Sequence, residues 1–160
     1  MSSHAEQAVA MFAEGYNCAQ SVLTCCGAPL GLPRETALRV AGTFGGGMGL
    51  MGETCGAVTG AIMVLGLRTA GPTPTDPDAK AALYERVRDL VARFKARNQS
   101  ILCRDLLGCD VSTPEGWQQA QDRKLHQTIC PKYVRDAAEI LDELADQCRA
   151  AGNDHADPTS

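Results

Sequence analysis

Apolar residues recur at spacings of three and four along nearly all of this chain, the period of a helix face rather than of a strand. From Ser3 to about Cys26, the residues Ala5, Ala8, Val9, Phe12, Tyr16, Ala19, Val22 and Leu23 follow that period. They predict one long helix closed by Gly27 and Pro29. Pro33 suits a first helical position, and Ala37, Leu38, Val40 and Ala41 mark a shorter second helix that ends in a glycine run. A third helix is expected over about Thr54–Arg68, apolar nearly all round and therefore buried. Gly52, Gly56 and Gly60 fall four apart, a stripe where a backbone, a cofactor or a second copy of the chain could approach closely. Asp76 and Pro77 make an N-cap and first-turn pair for a fourth helix, after a three-proline connection over 70–78. Its inner stripe is Leu83, Val87, Leu90, Val91 and Phe94, with Arg86, Arg88, Arg93 and Lys95 facing water. The segment Cys103–Gly116 reads as irregular, broken by Gly108, Pro114 and Gly116. A last helix is expected over about Pro131–Ala150, with Val134, Ala138, Leu141, Ala145 and Cys148 along one side.

These elements predict an all-α fold, a compact bundle of about five helices with a Gly-rich loop before a buried central helix. Residues 1–150 would form a single domain, and 151–160 a disordered polar tail. With 160 residues the chain can bury a core without disulfide staples, and its few aromatics leave that core to Ala, Leu, Val, Met and Ile. A net charge of -4 argues against a nucleic-acid surface. Phe44–Leu67 imitates a membrane span, but eight of its residues are glycine. Only 14 uncharged residues separate Glu53 from Arg68, short of the roughly 20 that a span needs. No membrane span is expected.

Eight cysteines change the picture most. The N-terminus has neither a basic stretch nor an apolar run after it. Cytoplasmic localisation is expected, where thiols stay reduced and structural bridges are rare. Cys18, Cys55, Cys103 and Cys130 sit where a thiolate would be activated or ready to ligate a metal. Cys55 lies in Gly52-Glu-Thr-Cys-Gly-Ala-Val-Thr-Gly60, just after the run Phe44-Gly-Gly-Gly-Met-Gly49, and Cys130 precedes Pro131 at a helix start. Unpaired N–H groups and the positive end of a helix dipole favour a thiolate at such places. No two of the four form a C-x-x-C, so any site must be assembled from distant segments.

Other features carry less. Gly47-Met-Gly-Leu-Met-Gly52 is a literal G-x-G-x-x-G, but a short helix rather than a strand precedes it, and a dinucleotide site needs the strand. Its narrower use would be to point backbone N–H groups at a thiolate or a cluster sulfide. Cys25, Cys26 and Cys148 read as core or accessory thiols, and Cys109 as a loop residue or a resolving thiol. His126, four residues before Cys130, could approach the site, although an exposed or satisfied histidine is the plainer reading. Trp117 reads as a packing anchor.

The order of Cys18 in Gly15-Tyr-Asn-Cys-Ala-Gln20, the Cys55-Gly-Ala-x-x-Gly60 block, Cys103 before Asp105-Leu-Leu-Gly108, and Cys130 resembles the C_GCAxxG_C_C family of redox-active proteins. The resemblance runs from roughly Ala8 to Ala145, and this chain has Cys-Gly-Ala where the family label has Gly-Cys-Ala. It implies that Cys18, Cys55, Cys103 and Cys130 are the four signature thiols. The family also looks related to the C-terminal part of split-Soret cytochromes, which carries an iron–sulfur cluster besides haem. Without a C-x-x-C-H motif, no covalent c-type haem is implied here.

Three uses of the four thiols follow. The first is an iron–sulfur cluster, [2Fe–2S] favoured over [4Fe–4S], for electron transfer or redox sensing. The second is metal-free thiol–disulfide chemistry, with Cys55 or Cys130 attacking and another signature cysteine resolving. The third is a structural zinc site of four cysteines. The partner would be an unidentified redox protein, and a homo-oligomer is possible through the small-residue stripe.

Overall fold

Ser3 and Asn17 decide where the first two helices begin. In the computed structural model, which describes residues 2–69 and 75–152, both residues build capping boxes. Ser3 Oγ accepts from the Glu6 N–H at 3.2 Å, and Asn17 Oδ1 accepts from the Gln20 N–H at 2.8 Å. In return, Glu6 and Gln20 accept from the N–H groups of Ser3 and Asn17 at 2.8 and 3.0 Å. The long helix expected over Ser3–Cys26 is therefore two, α1 (His4–Ala13) and α2 (Cys18–Gly27). Between them Gly15 takes a φ of 105°, open only to glycine at little cost. The apolar spacing is real on both sides of the break, because α1 and α2 bury their inner faces in the same core.

A 3-10 turn over Ala28–Leu30 leads to α3 (Arg34–Ala41), with Pro33 as the N-cap rather than the first helical residue. A second 3-10 turn, Gly42–Phe44, opens the glycine run. The central helix α4 (Gly56–Thr69) buries Val58, Ala61, Val64 and Leu65. Its small stripe is occupied by α2: a Cβ on Gly60 would stand 3.0 Å from the Ala19 carbonyl oxygen. The close approach expected there is made by backbone.

Helix α5 (Pro77–Asn98) starts at the predicted pair, with the Asp76 carboxylate accepting from the Asp78 N–H at 3.3 Å. Leu90 and Phe94 are buried and Leu83, Val87 and Val91 half-buried, as the stripe requires. Two of the arginines assigned to water do more. Arg86 donates to Cys148 Sγ at 3.0 Å, and Arg93 pairs with Asp89 at 3.0 Å and reaches Gln147 at 2.8 Å.

The segment taken as irregular contains α6 (Cys103–Leu107), and Pro114 and Gly116 lie in the first turn of α7 (Pro114–Asp122) instead of breaking structure. Thr113 caps α7 by accepting from the Gly116 N–H at 3.0 Å. A short α8 (Leu125–Thr128) and the long α9 (Cys130–Ala150) complete the chain, making nine α-helices among the described residues where about five were expected. The surplus consists of the α1–α2 break and three helices of nine residues or fewer, too short to print a period.

One contiguous core joins α1, α2, α4, α5 and α9, around Phe94, Leu65, Leu90, Ile140 and Leu141. The fold is all-α, with no strand among the described residues; Thr54 and Leu102 make an isolated antiparallel bridge. No helix among them is long and apolar enough to cross a membrane. Residues 70–74 of the proline-rich connection and the tail from 153 lie outside the described residues.

Candidate functional site

The glycine run folds into a coil bonded to itself. The N–H groups of Met48, Leu50, Gly52 and Glu53 donate to the carbonyls of Phe44, Gly45, Gly46 and Gly47 at 3.0–3.3 Å. Those four donors are spent inside the loop, so they do not point at a thiolate. A 3-10 turn rather than a strand precedes the G-x-G-x-x-G, which removes the context of a dinucleotide site.

The loop's exit pins two cysteines together. Residues 52–55 run beside 101–104: the Cys55 N–H donates to the Ile101 carbonyl at 2.7 Å, and the Cys103 N–H to the Glu53 carbonyl at 2.6 Å. Arg104 adds a bond from Nε to the Gly52 carbonyl at 3.0 Å and an ion pair with Glu53. Gly47 closes over this pairing at a φ of 69°. A Cβ there would fall 2.7 Å from Cys103 Cβ and from the Glu53 backbone.

The other two cysteines arrive on helix starts. Asn17 holds the head of α2 by donating from Nδ2 to the carbonyls of Ala41 and Gly42, both at 3.2 Å. Gln20 donates to the Leu38 carbonyl at 3.0 Å, so Cys18 is fixed against the entry of the glycine loop. A Cβ on Gly56 would come 3.2 Å from Cys18 Cβ, which keeps the heads of α2 and α4 close. Tyr133, one turn into α9, donates to the Leu106 carbonyl at 2.9 Å and fastens Cys130 beside α6.

The result is that Cys18, Cys55, Cys103 and Cys130 all line one cavity of about 670 Å³. Each stands where a helix begins. Cys18, Cys103 and Cys130 are the first residues of α2, α6 and α9, and Cys55 immediately precedes α4. Cys55, Cys103 and Cys130 are buried, while Cys18 is partly open, and all eight cysteines are free thiols.

The thiols are not equivalent. The Cys18 thiol is pushed well above the ordinary range, because its proton is held toward Cys130 and Cys55 and because it is desolvated. Cys55 moves the opposite way: the Cys18 thiol, followed by the N–H groups of Ala57 and Val58, favours its thiolate against burial. Burial raises Cys103 to about 12, with the neighbouring Cys55, Cys130 and Cys109 adding to the effect. Burial and the cysteines nearby also raise the Tyr133 phenol. Among the described residues, no group of three or more His, Cys, Asp and Glu side chains stands ready to hold a metal ion.

The remaining cysteines lie elsewhere. Cys25 and Cys26 occupy the last turn of α2, Cys148 the last turn of α9, and Cys109 follows α6. Cys26 is raised to about 12 by burial first. His126 does approach the site: it lines the cavity, stacks on Phe12 at 4.3 Å between ring centroids, and is lowered by burial. Trp117 lines the cavity as well and is 43% exposed, a wall rather than a packing anchor. Tyr133 and Lys124 were not singled out from the sequence. Tyr133 could have been, since it falls three residues after Cys130 on the same helix face.

A family model described as "Putative redox-active protein (C_GCAxxG_C_C)" matches residues 16–144. No curated protein and no solved structure matches the chain.

Proposed function

The chain belongs to the C_GCAxxG_C_C family, and on that footing we propose that Cys18, Cys55, Cys103 and Cys130 hold an iron–sulfur cluster used for electron transfer or redox sensing. One observation carries the reading: four thiols from four separate segments, each at the start of a helix, line a single cavity. Four thiolates are the usual ligand set of such clusters. The heads of α2, α4 and α9 bring three positive dipole ends to the same place, each equivalent to about half a charge. That field favours the negative charge of ligated thiolates. A bound cluster would supply one-electron chemistry. The chain's own part is to keep water from the sulfurs with Leu106, Leu107 and Tyr133 and so to tune the potential.

The two-iron form is preferred. Two irons spread four thiolates over two metals, which suits a set in which Cys18 meets both Cys130 and Cys55 while Cys103 feels only the charge of Cys55 and Cys130. A single tetrahedral zinc, with Zn–S bonds of about 2.3 Å, draws all four sulfurs around one point.

Cys55 and Cys18 favour a second reading, thiol–disulfide exchange. The Cys55 thiolate would attack a substrate disulfide and form a mixed disulfide, expelling one substrate thiolate. Cys18, giving its proton to that leaving thiolate, would then attack Cys55 Sγ. The second substrate thiolate leaves, the substrate is reduced by two electrons, and a Cys18–Cys55 disulfide remains. The two thiol shifts set the pH dependence. Thiolate alkylates, so iodoacetamide on metal-free protein should label Cys55 along a curve that rises below about pH 8.5, the ordinary thiol midpoint. Cys18 should rise only above it. Mass spectrometry of the labelled peptides across pH checks both.

Anaerobic purification, read by visible absorption with iron, zinc and acid-labile sulfide content, tests the first reading. Matched iron and sulfide in a brown protein support it. Protein that stays colourless and iron-free after anaerobic reconstitution rejects it and favours the dithiol. We propose that the protein works in the cytoplasm with a redox partner, since a reducing compartment keeps thiols available for ligation or exchange.

A further inference from the structure

The cysteine cavity is much larger than its thiols need. At about 670 Å³ it falls within the range of pockets that enclose drug-sized organic molecules. The four inorganic atoms of a two-iron cluster would fill a small share of it. The rest of the lining has a definite character. Leu50 and Trp117, 44% and 43% exposed, form an apolar rim. Met48 and Met51, on the same loop, leave further apolar surface beside it. Deeper in, Leu106 and Tyr133 continue the apolar wall toward the cysteines.

Charge is distributed unevenly. The whole chain carries 19 acidic side chains against 15 Lys and Arg. Along the described lining of this cavity there is no carboxylate, and Lys124 is the one Lys or Arg. Lys124 is also one of the few non-glycine residues at positive φ, 51°, and Leu50 is another at 63°. An L side chain pays energetically for that conformation, and such residues cluster where a binding surface needs them. A rim built from Leu50, Trp117 and Lys124 combines an apolar face, an aromatic face and one cation.

The geometry points to a second occupant of this cavity: a small organic anion with a planar apolar body, its body against Trp117 and Leu50 and its anionic group at Lys124. Aromatic bodies stack on Trp117, and Lys124 meets the negative end without a carboxylate to compete. The inference deepens the redox reading by naming the class of small molecule that would meet the cysteines. Binding itself does not require the cysteines to be redox-active.

The test uses the full chain, purified anaerobically and titrated by calorimetry with 2-naphthalenesulfonate and, separately, with neutral 2-naphthol. The sulfonate should bind saturably at one site and more tightly than the naphthol. Lys124→Gln should weaken the sulfonate roughly fivefold and leave the naphthol unchanged. Trp117→Ala should weaken both probes. Both positions are exposed, so neither change removes a core contact. Absence of saturable sulfonate binding, or equal sulfonate affinity before and after Lys124→Gln, overturns the proposal. Failure of the redox reading looks different: Cys55→Ser would leave iron, sulfide and redox behaviour as they were, whatever the probes do.

Discussion

Two sets of cysteines share this molecule, and they differ in which end of a helix they occupy. Cys18, Cys55, Cys103 and Cys130 stand at helix starts and line one cavity. Cys25, Cys26 and Cys148 stand in last turns, and Cys109 follows the end of α6. At a helix start, free N–H groups and the dipole favour a thiolate, and at Cys55 the Cys18 thiol first and then the Ala57 and Val58 amides do so. In a last turn the field has the opposite sign, and at Cys26 burial first, then the charges of Asp142 and Cys25, raise the thiol. Other effects can win at a helix start: bonds to Cys130 and Cys55 raise Cys18, and burial leaves Cys103, on the five-residue α6, raised to about 12. What separates the sets is the helix end they occupy and the convergence of those ends.

The sharpest way to break the comparison is to exchange one member of each set. Cys55→Ser should abolish bound iron and sulfide or, in metal-free protein, the two-electron thiol couple. Cys26→Ala should leave both intact and cost about 1 kcal/mol of stability from lost packing. Equal redox effects would erase the distinction. Redox titration and urea unfolding of the two variants decide it.

Next in size is the glycine that closes over the site. Gly47→Ala would force a Cβ to 2.7 Å from Cys103 and the Glu53 backbone at a left-handed φ, and should cost about 2–4 kcal/mol. Gly66→Ala, in α4 with nothing within 4 Å of the new Cβ, should instead gain about 0.5–1 kcal/mol. Urea midpoints of the pair check opposite signs. A smaller effect is expected at Asn17, which caps α2 and ties Cys18 to the glycine loop. Asn17→Ala should cost about 1–2 kcal/mol and weaken retention of any bound iron, because the α2 head loses its anchor.

The sequence made the helical character plain and made half of the helix-start pattern visible. Cys55 and Cys130 could be read as helix starts because the glycine run ends just before the one and Pro131 follows the other. Cys18 could not, since the apolar spacing runs unbroken through Tyr16 and Ala19 and hides the turn at Gly15. The signal that would have revealed it is local: Asn17 followed three residues later by Gln20 is a capping box. Cys103 heads a helix too short to show a period. The convergence itself was out of reach, because it depends on pairings between residues far apart in sequence. The bond from the Cys55 N–H to the Ile101 carbonyl is one, and the one from Tyr133 to Leu106 is another. Small residues on α4 showed that something must come close but not that α2 was the neighbour.

Cysteine accessibility before and after iron removal tests the central claim most directly. Anaerobically purified protein would be alkylated, then alkylated again after treatment with an iron chelator, and each cysteine peptide quantified by mass spectrometry. The account predicts that chelation increases labelling at the signature thiols, most at Cys55 and least at Cys18 and Cys103, whose raised thiols supply little thiolate, and leaves Cys25, Cys26, Cys109 and Cys148 unchanged. An increase confined to the helix-end cysteines, or no increase at any of the eight, would contradict it.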